Sequence, residues 1–353
     1  MKNRNLTIDA VRGIAIILVV YGHIIQRSMV VRGEDFYLNP VFKIIYTFHL
    51  PLFVFISGYL MALSLSRKSV GDVFKSRWKS LFVPYIAWGI LDVITNYFLK
   101  IIEGKNTGSP NFLWGFVDQL LLHPSVWFLF TLFILSCLLL FSVKCDQRCG
   151  PLIFGIIYLF ILILPYNNYC SLYYIKWFYL FYVIGYCINR YDIKIKNNFM
   201  RTIVFLFSLI IFAVLVRYWN KGDYIYLNKM GFASNQYAHE ILRIIYRYIT
   251  GFLGIIIVFY TGSYLSKIKI GSFLDYIGIY SLDIYLIQRY LLEGLYPRLG
   301  IATHTNFDFN SPFFLCLYTP LATIFFVGGC LVISKLLFRR NYLLNRLLLG
   351  ARE

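Results

Sequence analysis

The sequence predicts an all-α integral membrane protein that crosses the bilayer about ten times. Three observations carry this. Of 353 residues, 59% are hydrophobic and only 14% are charged, a composition typical of membrane chains rather than soluble domains. The apolar stretches follow one another with no long polar break, so residues 1–353 read as a single membrane domain. Each stretch is also about the length of one spanning helix.

Ten spans are expected, at 6–26, 41–65, 80–101, 126–143, 151–166, 172–190, 200–219, 242–265, 274–296 and 313–338. The fifth is short, ends at Pro165, and reads as tilted or partly re-entrant. The first stretch lacks a small-residue cleavage site after it and is taken as a span, not a signal. With the N-terminus inside, the cytoplasmic segments collect the larger share of Lys and Arg. Arg67, Lys68, Lys75, Arg77 and Lys79 share one such loop, and Arg190, Lys194, Lys196 and Arg201 fill another. The positive-inside rule then puts both termini in the cytoplasm of a multi-pass cell-membrane protein. The net charge of +18 is explained by topology and by contact with anionic membrane lipids. Nucleic acid is not expected as a partner, because the basic residues are scattered over short loops and form no binding module.

The first span carries the sharpest signal. Residues 9–23 read DAVRGIAIILVVYGH, which places Asp9, Arg12 and His23 in apolar sequence. Ionisable groups at membrane depth are costly and mark function by default. Arg12 and His23, eleven residues apart, share a helix face and stand roughly 16 Å apart along the axis. The alternatives for these residues are a histidine bonded to a backbone carbonyl and an Arg12–Asp9 salt bridge that pins the helix end.

The second span, YTFHLPLFVFISGYL from Tyr46, places His49 two residues before Pro51. Ser57 and Gly58 allow close helix approach. Alone, this reads equally as a kinked packing helix. Because the second helix runs back inward, His49 and His23 reach comparable depth in the outer half of a ~30 Å core. Two imidazoles at one level suggest a polar reaction chamber. In the third span Trp88, Asp92 and Asn96 form an i, i+4, i+8 stripe. Asp92 there is either an imidazole-orienting carboxylate or a packing hydrogen-bonder. Trp127, at the start of the fourth span, reads as part of an interfacial aromatic belt.

The seven cysteines form no framework. Cys145 and Cys149 share one short loop, and neither a metal nor a permanently bound cofactor is expected. A sizeable outer loop, Asn220 to Glu240, mixes Tyr224, Tyr226 and Phe232 with Asp223, Asn228 and Gln236. This mix suits a glycan, and it also suits an ordinary solvated loop. Arg243 and Arg247, at the start of the eighth span, could meet an anionic group. In the ninth span Gly278, Ser281, Tyr285 and Gln288 are expected on one face, for packing or for substrate contact. Arg289 and Glu293 are expected to pair at i, i+4.

Together, Arg12-x10-His23 and FHLPLFVFISG from Phe48 resemble the membrane acyltransferase-3 family. RWKSLFVPYIAW from Arg77, VWFLFTLF from Val126 and GIYSLDIYLIQRY from Gly278 are similar to its later motifs. Within the family, the chain resembles the fucose 4-O-acetylase group. The resemblance implies a membrane O-acyltransferase that takes an acyl group, usually acetyl, from acyl-CoA. Acetyl-CoA would be a donor substrate rather than a cofactor, and the acceptor a sugar hydroxyl of a surface polysaccharide or its lipid-linked precursor. Such a transfer needs a base for the acceptor hydroxyl, and neutral histidine suits this near pH 7.

The resemblance points to His23 as that base; His49 and Asp92 are further catalytic candidates. Arg12, Arg77, Lys79 and Ser57 are expected on the donor side, and Tyr224, Tyr226, Asn228 and Gln288 on the acceptor side. Two positions depart from the family. Gln288 stands where many relatives have histidine. The paired-arginine motif is imperfect, since Arg77 is followed by Lys79 and Ser80, and Lys lacks Arg's fork. The rival reading is a polysaccharide or sugar-lipid transporter, which the lack of an evident inverted repeat or interrupted helix pair weighs against.

Overall fold

A computed structural model describes residues 5–102, 111–118, 120, 126–145, 150–164, 171–225, 237–296 and 308–350. The described residues form helices, turns and loops, with no strand among them. In order, α1 spans Leu6–Val31, α2 Pro40–Leu65, α3 Val70–Arg77, α4 Val83–Ile102, α5 Asn111–Val117 and α6 Trp127–Cys145. Then come α7 Gly150–Ile163, α8 Leu172–Arg190, α9 Asn198–Leu215, α10 Tyr237–Leu265, α11 Lys269–Ile279, α12 Ser281–Arg289, α13 Thr319–Ile333 and α14 Tyr342–Leu348.

Seven helices are long and apolar enough to cross a membrane: Leu6–Val31, Pro40–Leu65, Val70–Phe98, Trp127–Cys145, Asn198–Tyr218, Ala238–Leu265 and Phe314–Phe338. The chain is therefore a polytopic all-α membrane protein. The expected tenfold crossing needs three adjustments. The ninth span is broken: Lys269–Ile279 and Ser281–Glu293 meet at 61° and make an eighth crossing if taken together. The expected face from Gly278 to Gln288 is therefore not continuous, because the break at Tyr280 separates Gly278 from the other three. The fifth, α7, has 14 residues, about 21 Å, too short for a ~30 Å core. The sixth, α8, forms as a helix, but Lys176, Arg190 and its tyrosines dilute its apolar character.

Local chemistry sets the ends of these helices. The Asn5 side chain accepts from the Ile8 amide at 3.3 Å and caps α1, with Asp9 in the first turn, where the helix dipole favours an anion. Asn39 accepts from the amides of Val41 and Phe42 at 3.1 and 3.0 Å and starts α2. Widened π turns occupy Trp78–Phe82, Tyr290–Leu295, Phe314–Tyr318 and Ser334–Phe338. Such turns carry one extra residue per ladder rung and recur at functional positions. Here they hold Lys79, Glu293 and Lys335.

The chain divides into two compact units. The first comprises Met1–Ile56, Lys194–Asn228 and Asn235–Leu337. Its axis is α1, buried along most of its length and packed on α10, α11 and α13. At Gly13 and Gly278 the crossing of α1 and α11 is backbone on backbone. A Cβ on Gly13 would strike the Leu274 carbonyl, and one on Gly278 the Asp9 carbonyl. Without a hydrophobic drive between helices in lipid, such small-residue contacts hold the pair together.

The second unit comprises Ser57–Ile193, Lys229–Ser234 and Phe338–Glu353. There Gly58 lies against the Tyr182 backbone, and α14 packs on α4. Trp88 Nε1 donates to the Leu348 carbonyl at 2.8 Å. Gly350, at φ +60°, lies against Lys79, Ser80 and Pro84; its left-handed backbone is one that glycine adopts without penalty.

Candidate functional site

His23 and His49 both belong to the first unit, and Tyr46 stands beside both of them. The Tyr46 ring lies 6.3 Å from the His23 ring and 4.4 Å from the His49 ring, edge-on to each. His23 is half-buried, whereas His49 is buried. The two imidazoles thus stand on neighbouring helices with one phenol beside both.

Hydrogen bonds set the tautomers. Gln26, one turn after His23, donates through Nε2 to the Tyr224 hydroxyl at 3.1 Å. Its Oε1 consequently faces His23 Nδ1 at 3.3 Å and the Tyr46 hydroxyl at 3.3 Å. An amide oxygen only accepts, so in the tautomer that bonds Gln26 His23 Nδ1 carries the proton and the ring lone pair is at Nε2; the Tyr46 hydroxyl, 3.4 Å from the same Nδ1, donates to it in the other tautomer. The same logic holds for His49, whose Nδ1 lies 2.7 Å from the Ile45 carbonyl. Among the described residues neither Nε2 makes a hydrogen bond, so with the proton on Nδ1 each ring presents a lone pair to whatever enters.

Aromatic residues cover this end of α1. Tyr46 stacks on Phe42 at 3.9 Å, and Tyr224 lies 5.6 Å from Tyr46 and 5.8 Å from Phe42. Around them Ile25, Met29, Phe42, Trp219, Tyr224, Phe309 and Phe314 form one buried cluster. Tyr224, expected on the acceptor side or else in an ordinary solvated loop, is buried, and its hydroxyl accepts from Gln26. The loop is also shorter than expected, since α10 starts at Tyr237. Tyr226, Phe232, Asn228 and Gln236 lie outside the described residues. Arg243 is already engaged, donating to Asn220 at 2.9 Å and to Asp223 at 3.1 Å.

One turn beyond His23, Arg27 Nη2 donates to Glu293 Oε1 at 2.6 Å, and Glu293 Oε2 lies 3.4 Å from Arg289 Nε. The predicted Arg289–Glu293 pair is thus present, with Arg27 as an added third member. In the same unit Gln288 is buried, and its Oε1 has no hydrogen-bond partner among the described residues.

At the other end of α1, Arg12 donates from Nη2 to Ser281 Oγ at 2.9 Å and pairs through Nη1 with Asp9 at 3.5 Å. Ser281 opens α12 just past the 61° break. The salt bridge anticipated as an alternative therefore exists alongside a second tether. Nearby, Lys335 lies over the Tyr276 ring at 4.7 Å and the Tyr280 ring at 5.5 Å. Ser334 donates to the Asp283 carboxylate.

The remaining expected site residues belong to the second unit. Asp92 and Trp88 are buried on α4, but Asn96 is exposed, so the three-residue stripe does not share one environment. Ser57 and Arg77 are half-buried, and Lys79 is exposed in the π turn. Trp127, at the start of α6, stacks on Tyr174 at 3.8 Å. Among the described residues no group of three or more His, Cys, Asp or Glu is placed to hold a metal.

Gln26, Arg27 and Tyr46 were not anticipated as site residues. A clue was present in the spacing. Arg27 follows His23 by four residues and therefore shares its helix face, provided the helix outlasts the apolar run.

Comparison with known proteins places the chain. The family model described as an acyltransferase domain matches residues 5–335, and the chain belongs to that acyltransferase-3 family. Among curated proteins it is similar to the nodulation protein NolL of Sinorhizobium fredii (strain NBRC 101917 / NGR234), 44% identical over 87 residues, 25% of this chain and 24% of that one. The NolL protein of Mesorhizobium japonicum (strain LMG 29417 / CECT 9101 / MAFF 303099) is 41% identical over 87 residues, 25% of this chain and 23% of that one. The match thus spans about a quarter of the length of these relatives. No solved structure matches the chain.

Proposed function

We propose that this member of the acyltransferase-3 family is a membrane O-acyltransferase. It moves an acetyl group from acetyl-CoA to a sugar hydroxyl of a surface glycan or its lipid-linked precursor. One observation carries the reading. His23 is half-buried, its Nδ1 is committed to Gln26 at 3.3 Å, and its Nε2 lone pair is left open on the helix face that also carries Arg12.

In this scheme the acceptor hydroxyl gives its proton to His23 Nε2 as its oxygen attacks the thioester carbon. The tetrahedral intermediate then expels the thiol sulfur, which takes the proton back from the imidazolium. The products are an ester and free CoA thiol. Gln26 and Tyr224 hold the tautomer. His49, with its own Nε2 lone pair, aligns the acceptor or supports His23. Arg12, roughly 16 Å along the helix, anchors a phosphate or the pantetheine carbonyl of the donor. Tyr226, Asn228 and Gln288 serve the acceptor. Donor entry at the Arg12 end and acceptor entry at the His23 end make this a transfer along the membrane normal, with both termini cytoplasmic.

The broken ninth span is the one feature a transporter would share. Among the described residues it has no counterpart, and the family is one of acyltransferases. The test is thiol release and glycan O-acetylation by purified protein with acetyl-CoA, together with mass spectrometry of glycans from a deletion strain and its parent. Identical acetylation in the two strains would falsify the reading.

A further inference from the structure

Acyl transfer needs more than a base. As the hydroxyl attacks, the carbonyl π pair moves onto oxygen, and a donor must already stand where that charge develops, out of reach of water. Around His23 most donors are taken. The Tyr46 hydroxyl is taken up by Gln26 Oε1 or His23 Nδ1, and the Gln26 amide by Tyr224. Arg27 is different. It lies on the His23 face of α1, and its charge reaches both the His23 ring and the Tyr46 phenol. Its Nη2 is held by Glu293 at 2.6 Å, and Glu293 is steadied in turn by Arg289 at 3.4 Å. Its Nε is shielded from solvent and has no acceptor among the described residues. The Arg27 side chain is 30% exposed, yet its Nε is a shielded and unmet donor, and such groups are costly and call for an explanation in function.

We infer that Arg27 is a catalytic residue, its Nε–H donating to the thioester carbonyl oxygen as that oxygen becomes the tetrahedral oxyanion. The inference rests on the acyl-transfer reading. The attacking oxygen forms the new C–O bond and its proton passes to His23 Nε2. The π pair rests on the oxygen facing Arg27. When the pair returns, the C–S bond breaks and the sulfur leaves with the proton from His23. Glu293 holds the guanidinium so that the fork does not swing toward solvent; it is a positioning residue.

Hydrolysis of acetyl-CoA separates this role from others, because water replaces the sugar while the oxyanion still forms. Purified wild-type, His23→Ala, Arg27→Gln and Arg27→Lys proteins are compared by thiol release, with gel filtration and thermal melting to show that each is folded. Arg27→Lys keeps a cation for Glu293 but lacks the Nε–H. Loss of one oxyanion donor lowers kcat by about 10²–10³, so both variants should lose on that order with KM for acetyl-CoA nearly unchanged.

If either folded variant hydrolyses acetyl-CoA at the wild-type rate and fails only with a sugar acceptor, Arg27 binds acceptor and the assignment is overturned. A rise in KM alone, or loss of the fold in both variants, overturns it too. If His23→Ala is dead while both Arg27 variants turn over normally, only this inference falls. If the wild type releases no thiol above His23→Ala, the acyl-transfer reading falls and takes this assignment with it.

Discussion

The two ends of α1 carry the same kinds of group and treat them differently. At the first end Arg12 is tied to Asp9 and Ser281, and α1 meets α11 backbone on backbone at Gly13 and Gly278. At the second end the packing is through large rings. There two imidazole lone pairs, the Arg27 Nε–H and the Gln288 amide oxygen have no partner among the described residues. Leaving a buried polar group unmet costs about 1–3 kcal/mol, and natural proteins keep such costs where function needs them. One end is therefore built to hold a helix and a charge in place, and the other to receive atoms from elsewhere.

The strongest test of that contrast is His23→Ala. Loss of a general base lowers the rate by about 10²–10⁴, and thiol release from acetyl-CoA should fall by that much at unchanged expression. Gly13→Val should do the opposite. Its side chain has no space against the Leu274 backbone, so the crossing must part. The expected result is loss of folded protein on gel filtration, with any surviving fraction keeping its kcat. A stable, slow Gly13→Val protein would mean that the Arg12 end takes part in the chemical step.

How far these ends were legible follows from how each group stands against its background. Arg12, His23 and His49 were visible because an ionisable residue inside an apolar run is rare and expensive. Arg27 was not, since hydropathy ends the first span at residue 26. The helix runs to Val31, because backbone hydrogen bonds continue where apolarity stops, and that extra turn brings Arg27 onto the His23 face. The burial of Tyr224 was not legible, because a tyrosine among Gly, Asp and Asn has the composition of an exposed loop, whether it meets a glycan or solvent. Its burial depends on Phe36, Phe42 and Trp219, which are distant in sequence. The break at Tyr280 was hidden because the run from Gly278 to Gln288 also has helical spacing when continuous.

Arg12→Lys comes next in size. A lysine cannot reach Asp9 and Ser281 together as the guanidinium fork does. If that fork is shared with the acyl donor, KM for acetyl-CoA should rise about tenfold or more, since a charge-assisted hydrogen bond is worth ~1.5–3 kcal/mol. If only the melting temperature falls and KM stays, Arg12 is a structural clamp and the donor anchor lies elsewhere.

The smallest effect probes the second end most finely. Tyr224→Phe removes one hydroxyl, the acceptor of the Gln26 amide at 3.1 Å, and leaves the aromatic packing in place. A neutral hydrogen bond contributes about 0.5–1.5 kcal/mol, so stability should change little. Gln26 would then be free to turn, and an amide that presents NH₂ to His23 Nδ1 would favour the tautomer with its proton on Nε2. That tautomer cannot accept the hydroxyl proton. The expected outcome is a several-fold fall in kcat, of the size set by one lost bond, with KM for acetyl-CoA unchanged. Gln26→Glu should restore activity in the Tyr224→Phe background, because a carboxylate presents an acceptor to Nδ1 whichever way it turns. Rescue by Gln26→Glu would separate tautomer control from a packing role, which no carboxylate would repair.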